Sequence, residues 1–181
     1  MIAIGGSLGG VDALREILQR LPSDFPLPIG VVLHRHRDAD GLLLRFIQRD
    51  SVLPVCEVED KQTMEAGRVY LCPADYHLMV EGDGFSLSTD DLVNFARPSI
   101  DAFFDSVAEW RGKNAIAVVL SGGGSDGAAG AARIQAKGGI IIAQDPAPAE
   151  GLWMPSAAIE ATKTRHVLPP AKIASELTRL A

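Results

Sequence analysis

Ser7 stands inside a run of glycines, Gly5-Gly6-Ser7-Leu8-Gly9-Gly10, directly after the apolar stretch Met1-Ile2-Ala3-Ile4. A strand that turns sharply into a helix exposes the hydroxyl of a serine at the corner and sets backbone N–H groups beside it, as an acyl-transfer nucleophile requires. Serine is a weak nucleophile until a base takes its proton. His34 follows the apolar residues 30–33 and is the candidate base. Asp126 lies in the glycine-rich stretch 121–127 and is the candidate carboxylate that orients the imidazole and stabilises its protonated form. The N–H groups of Leu8 and of the turn around Gly123 are candidate oxyanion donors.

Each residue also has a bland reading. A glycine-flanked serine can belong to a phosphate cradle or a plain turn. Asp126 can be an N-cap or first-turn residue facing a helix dipole, and a lone histidine after a strand is commonly structural. What favours a triad is that all three residues follow apolar strand-like runs. His36 competes with His34, because two positions apart on an extended segment they point the same way. His34-Arg35-His36-Arg37-Asp38 also has a His-x-His-x-Asp metal-ligand spacing. The histidine expected after the aspartate is Ala39, and only His77 and His166 remain to complete a site, so no metal is expected. His77 reads as structural or site-lining, and Trp153 and Met154 as core, lid or pocket wall.

The elements that must position these residues alternate along the chain. Strands are expected at 2–4, 29–33, 52–58, 69–72, 115–120, 140–143 and 166–168, and helices at 11–20, 42–48, 128–137, 155–161 and 169–180. Pro98 is expected to open a further helix with Ser99, Ile100 and Asp101 in its first turn. Gly82-Asp83-Gly84 marks a hairpin between 77–81 and 85–88. The fold class expected is α/β: a doubly wound, mostly parallel sheet with helices on both faces and an added antiparallel hairpin. In such sheets the site lies beyond the carboxyl ends of the strands, where Ser7, His34 and Asp126 would fall.

The 181 residues suit a single domain with a sizeable core, and 47% of them are hydrophobic. A net charge of −6 argues against a nucleic-acid or anionic-membrane partner. No apolar run is long enough to span a bilayer. Cys56 and Cys72 read as buried reduced thiols, as expected of a cytoplasmic protein.

Five segments, in order along nearly the whole chain, resemble the catalytic domain of the chemotaxis protein-glutamate methylesterases, the CheB family. They are Gly5-Gly6-Ser7-Leu8-Gly9-Gly10, the stretch 34–38, Arg97-Pro98-Ser99-Ile100-Asp101, the loop 120–130, and residues 144–150 with 154–159. The resemblance implies Ser7 as nucleophile, His34 as base in preference to His36, and Asp126 as orienting carboxylate. It implies hydrolysis of glutamate methyl esters on the cytoplasmic helices of methyl-accepting chemoreceptors, with methanol released, no cofactor, and deamidation of receptor glutamines beside it. Residues 1–181 would be a single catalytic domain without the receiver domain that normally precedes it. A receiver or methyltransferase domain is a further candidate partner in a longer protein. The family usually has threonine where this chain has Leu8 and methionine where it has Gly123.

Two rivals differ in kind. An α/β-hydrolase shares Gly-x-Ser-x-Gly but orders its triad Ser, Asp, His, with several strands ahead of the serine. A non-catalytic receptor- or nucleotide-binding module fits the glycines. Gly-x-Gly-x-x-Gly fails at Ser7, however, and no Gly-Lys-Ser/Thr is present.

Overall fold

Short apolar runs rich in branched residues form the strands, and amphipathic stretches between them form the covering helices. The computed structural model describes residues 1–35 and 41–181. The first half runs β1 (Ile2–Gly6), α1 (Gly10–Leu18), β2 (Ile29–Leu33), α2 (Leu42–Asp50), β3 (Val55–Glu57), β4 (Val69–Leu71), β5 (His77–Glu81) and β6 (Gly84–Ser88). The second half runs α3 (Ile100–Arg111), β7 (Ile116–Val119), α4 (Ala128–Ala136), β8 (Ile140–Gln144), α5 (Trp153–Thr162), β9 (His166–Leu168) and α6 (Pro170–Leu180).

Seven strands pair in the order β3-β4-β2-β1-β7-β8-β9, and every pairing among them is parallel. The expected doubly wound sheet is therefore present. The hairpin β5–β6 forms its own two-stranded sheet rather than extending the main one. The third strand begins at Val55, because Pro54 lacks the N–H that a ladder needs. The last helices also shift: α5 begins at Trp153 and not at Pro155, and α6 at Pro170. Ser99 is the N-cap of α3 rather than part of its first turn; its Oγ accepts the Ala102 N–H at 3.4 Å. Cys72 is buried, with burial pushing its thiol up to about 12, while Cys56 is only half-buried, contrary to expectation.

The sheet divides the core into two layers. Ile2 and Ile4 of β1, Val31 and Leu33 of β2 and Val118 of β7 pack with Leu14 and Ile17 of α1 and with Ile173 and Leu177 of α6. On the other face one rung of the central strands, Gly30, Ala3 and Ala117, is made of small residues. Ala3 and Ala117 lie there with Phe103 and Phe104 of α3, and a Cβ on Gly30 would stand 2.7 Å from Phe103 Cζ. The missing side chains let α3 sit close to the sheet, and this closeness delivers its N-terminus to the loop after β7. Gly30→Val is expected to overpack this face and lower stability by about 1–3 kcal/mol, read from the midpoint of urea unfolding.

Candidate active site

The three central strands β2, β1 and β7 are neighbours; β1 leads into Ser7, β2 into His34, and β7 into the loop that carries Asp126. Gly6 pairs with Leu33 in the parallel register, so Ser7 and His34 leave adjacent strands side by side. Parallel strands lie about 4.8 Å apart, within reach of one side chain for the next. The His34 N–H donates to Gly6 O at 3.0 Å, and the Ser7 N–H donates to Ser121 O at 2.9 Å. These two bonds fix the serine between the exits of β2 and β7. A Cβ on Gly122 would lie 2.9 Å from Ser7 Cβ, so only glycine leaves space for that side chain.

The turn after β1 is tight. Gly10 N–H donates to Ser7 O at 2.8 Å, and Gly9 adopts φ 73° at the head of α1, a conformation suited to glycine. Because the peptide is planar and trans, the Leu8 N–H points opposite to the Ser7 carbonyl and hence away from α1. Ser121 Oγ donates to Leu8 O at 2.6 Å and accepts from Gly151 N–H at 2.8 Å, which locks the following peptide. Gln144 Oε1, buried, accepts the Ser121 N–H at 2.8 Å. Among the described residues no acceptor takes the N–H of Leu8 or of Gly123. A Cβ on Gly123 would meet nothing within 4 Å, so this position opens onto the adjoining cavity.

Asp126 is buried and gathers five donors. Its Oδ2 contacts His34 Nε2 at 2.7 Å and accepts the Ile100 N–H at 2.7 Å. Its Oδ1 accepts Asn94 Nδ2 at 2.9 Å, Ser99 Oγ at 2.9 Å and the Asp101 N–H at 3.0 Å. Burial works to raise its pKa, but His34, Asn94 and the two backbone N–H groups outweigh it and hold the carboxyl down to about 2. The aspartate therefore does face a helix dipole, though that of α3 rather than of α4, its neighbour in sequence. An ionised carboxylate can only accept, so His34 Nε2 carries the proton and Nδ1 keeps its lone pair. That assignment is the reverse of the one in chymotrypsin-type triads.

His34, Asn94, Phe95, Gly123 and Asp126 line a cavity of about 410 Å³. Sequence reasoning missed Asn94, Ser121 and Gln144. Asn94 Nδ2 reaches both Asp126 and Asp101 Oδ2, the latter at 2.7 Å. Asp101 is pushed above the usual carboxylate range, first by burial and then by the charge of Asp126, against the pull of the Gly130 N–H. Asn94 and Phe95 sit at the tip of a turn closed by reciprocal Val93–Ala96 bonds, with φ 53° and 62°. A left-handed conformation costs a bulky residue such as Phe95 about 1–2 kcal/mol.

His77 is buried and structural. The Ser99 N–H donates to its Nδ1 at 3.2 Å, so its Nε2 donates to Asp91 O at 3.1 Å. His166 pairs with Glu176 at 3.1 Å, on α6. Met154 is buried against Gly122, whereas Trp153 is exposed, so of the two only Met154 backs the serine loop. His36 and the rest of the metal-like spacing lie outside the described residues.

Asp126→Ala strips an acceptor from five donors and is expected to lower stability by about 3 kcal/mol in urea unfolding. Stability contributed by the carboxylate charge is present above an ordinary aspartate pKa and is lost as pH falls toward about 2. Wild type is thus expected to lose it only below about pH 4, measured by unfolding at a series of pH values.

The comparisons with known proteins concern the chain as a whole. The family model "CheB methylesterase" matches residues 2–177. A relative from Leptospira interrogans is 42% identical over 180 residues, which span 99% of this chain and 93% of that protein. The Thermotoga maritima protein-glutamate methylesterase/protein-glutamine glutaminase is 36% identical over 99% of this chain, which spans 54% of that longer protein. The crystal structure of the Thermotoga maritima CheB methylesterase catalytic domain superposes with a TM-score of 0.96, at 36% identity and over 99% of this chain and 97% of that one. A seven-stranded parallel sheet, a serine at the turn after its central strand and a match over nearly every residue place the chain in the CheB methylesterase family.

Proposed function

We propose that this chain hydrolyses methyl esters of glutamate side chains on chemoreceptors, releasing methanol, with Ser7, His34 and Asp126 as its catalytic residues. The observation that carries the reading is the 2.7 Å contact of His34 Nε2 with an ionised Asp126, on the strand exit next to Ser7. His34 Nδ1 takes the proton as Ser7 Oγ attacks the ester carbonyl. The oxyanion of the tetrahedral intermediate is held by the N–H groups of Leu8 and Gly123, which have no acceptor among the described residues. His34 then protonates the departing methoxide, and methanol leaves an acyl-serine. Water attacks that acyl group with His34 again as base, freeing the glutamate carboxylate and restoring Ser7. With a glutamine substrate the same steps release ammonia.

Substrate and partner follow from the family: relatives carry the double name protein-glutamate methylesterase/protein-glutamine glutaminase. Residues 1–181 act in this reading as one catalytic domain. No helix among the described residues is long and apolar enough to cross a membrane. The order Ser7, His34, Asp126 along the chain sets it apart from the α/β-hydrolases, whose triad runs Ser, Asp, His.

Methanol release from a methylated receptor fragment is the test. Ser7→Ala and His34→Ala are each expected to lower kcat by about a thousandfold or more. His36→Ala is expected to retain activity; the opposite pattern would transfer the role of base. Since Asp126 stays ionised to about pH 2, the acid side of the kcat/KM profile is expected to show one limb, from protonation of the base. A second limb above about pH 3 would count against the assignment.

A further inference from the structure

Phe95 is 99% exposed, the most exposed large apolar side chain among the described residues. It is also held at φ 62°, at a turn position that glycine would occupy without strain. Both features oppose folding stability, and nothing in the core gains from the ring. The turn is nevertheless fixed from several sides. His77 Nε2 donates to Asp91 O, Arg97 donates to Thr89 O and Asp90 O, and Asn94 Nδ2 is bonded to Asp101 and Asp126. The residue that precedes the ring is therefore latched to the carboxylate that holds His34.

The rim around it combines apolar side chains with charges that pair within the protein. Phe95 and Leu92 line a second cavity with His34, of about 470 Å³. Leu8 adjoins Ser7, and Trp153 adjoins Met154 behind Gly122; both are more than half exposed. Leu92 and Phe95 thus put exposed apolar side chains beside His34. Among the described residues the guanidiniums at this rim are engaged within the protein, Arg35 with Glu57 and Cys72 O, and Arg97 with Asp75. Such a rim suits an uncharged methyl ester flanked by apolar side chains better than a free carboxylate.

We infer that Phe95 is a specificity-determining residue, which lays its ring on the apolar flank of the receptor helix beside the methylated glutamate, with Asn94 as the positioning residue that sets its height over His34. The inference rests on the methylesterase reading above. Burying the ring against a partner is worth about tenfold to a hundredfold in binding, and the latch makes the contact available without ordering a loop first.

The experiment compares kcat and KM on a methylated receptor fragment with kcat/KM on 4-nitrophenyl acetate. Phe95→Gly is expected to raise KM for the fragment by about tenfold or more, to lower the fragment-to-acetate ratio of kcat/KM to the same extent, and to leave Tm no lower than wild type, since glycine relieves the left-handed strain. Phe95→Leu is expected to recover most of the ratio. An unchanged ratio in Phe95→Gly with wild type active on the fragment would overturn the inference and leave the methylesterase reading intact. A lower Tm with a proportionate loss on both esters would make the ring structural and also overturn it. A wild type that cleaves the acetate but not the fragment would sink both readings.

Discussion

One buried negative charge organises this end of the molecule. The Asp126 carboxylate receives a ring nitrogen, a carboxamide, a hydroxyl and two backbone N–H groups, drawn from the exit of β2, the turn at 93–96 and the N-cap and first turn of α3. A charge taken out of water is tolerated only when its lone pairs are met. Here they are met by groups from two distant parts of the chain, His34 and the stretch 94–101. The same bonds that make the charge affordable also fix the tautomer and direction of His34, so the structural and the chemical role of Asp126 are one arrangement.

That arrangement depends on packing one layer below. Ala3, Gly30 and Ala117 line the sheet face on which Phe103 and Phe104 lie. With larger residues at these positions α3 would ride higher, and the Ile100 and Asp101 N–H groups would miss the carboxylate. Gly122 acts in the same way at the other wall, where Met154 and Ser7 crowd the place a side chain would take. Small residues in the core thus set distances at the surface.

Much of this was legible in the sequence. The apolar runs gave the strands of the main sheet, and their order with the intervening helices gave its parallel, doubly wound form. Ser7, His34 and Asp126 stood out because each follows such a run. Less legible was anything set by contact across long separations. Asp126 could be read as facing a helix dipole, but which helix it meets depends on how close α3 sits. Asn94 had no visible role because its two acceptors lie 7 and 32 residues away along the chain. Ser121 and Gln144 were passed over for the same reason: each acts by bonding a backbone group on another loop. The independence of the β5–β6 hairpin was hidden too, since a hairpin signal says nothing about which sheet, if any, it joins.

Two of the five groups that stabilise the Asp126 charge are main-chain amides at the head of α3. Every residue but proline supplies such an amide, so no other substitution at Ile100 or Asp101 deletes the donor itself. The acidity of this carboxylate is to that extent a property inherited with the backbone, and side chains around the opening are free to drift toward new esters while the proton relay beneath them keeps its anchor.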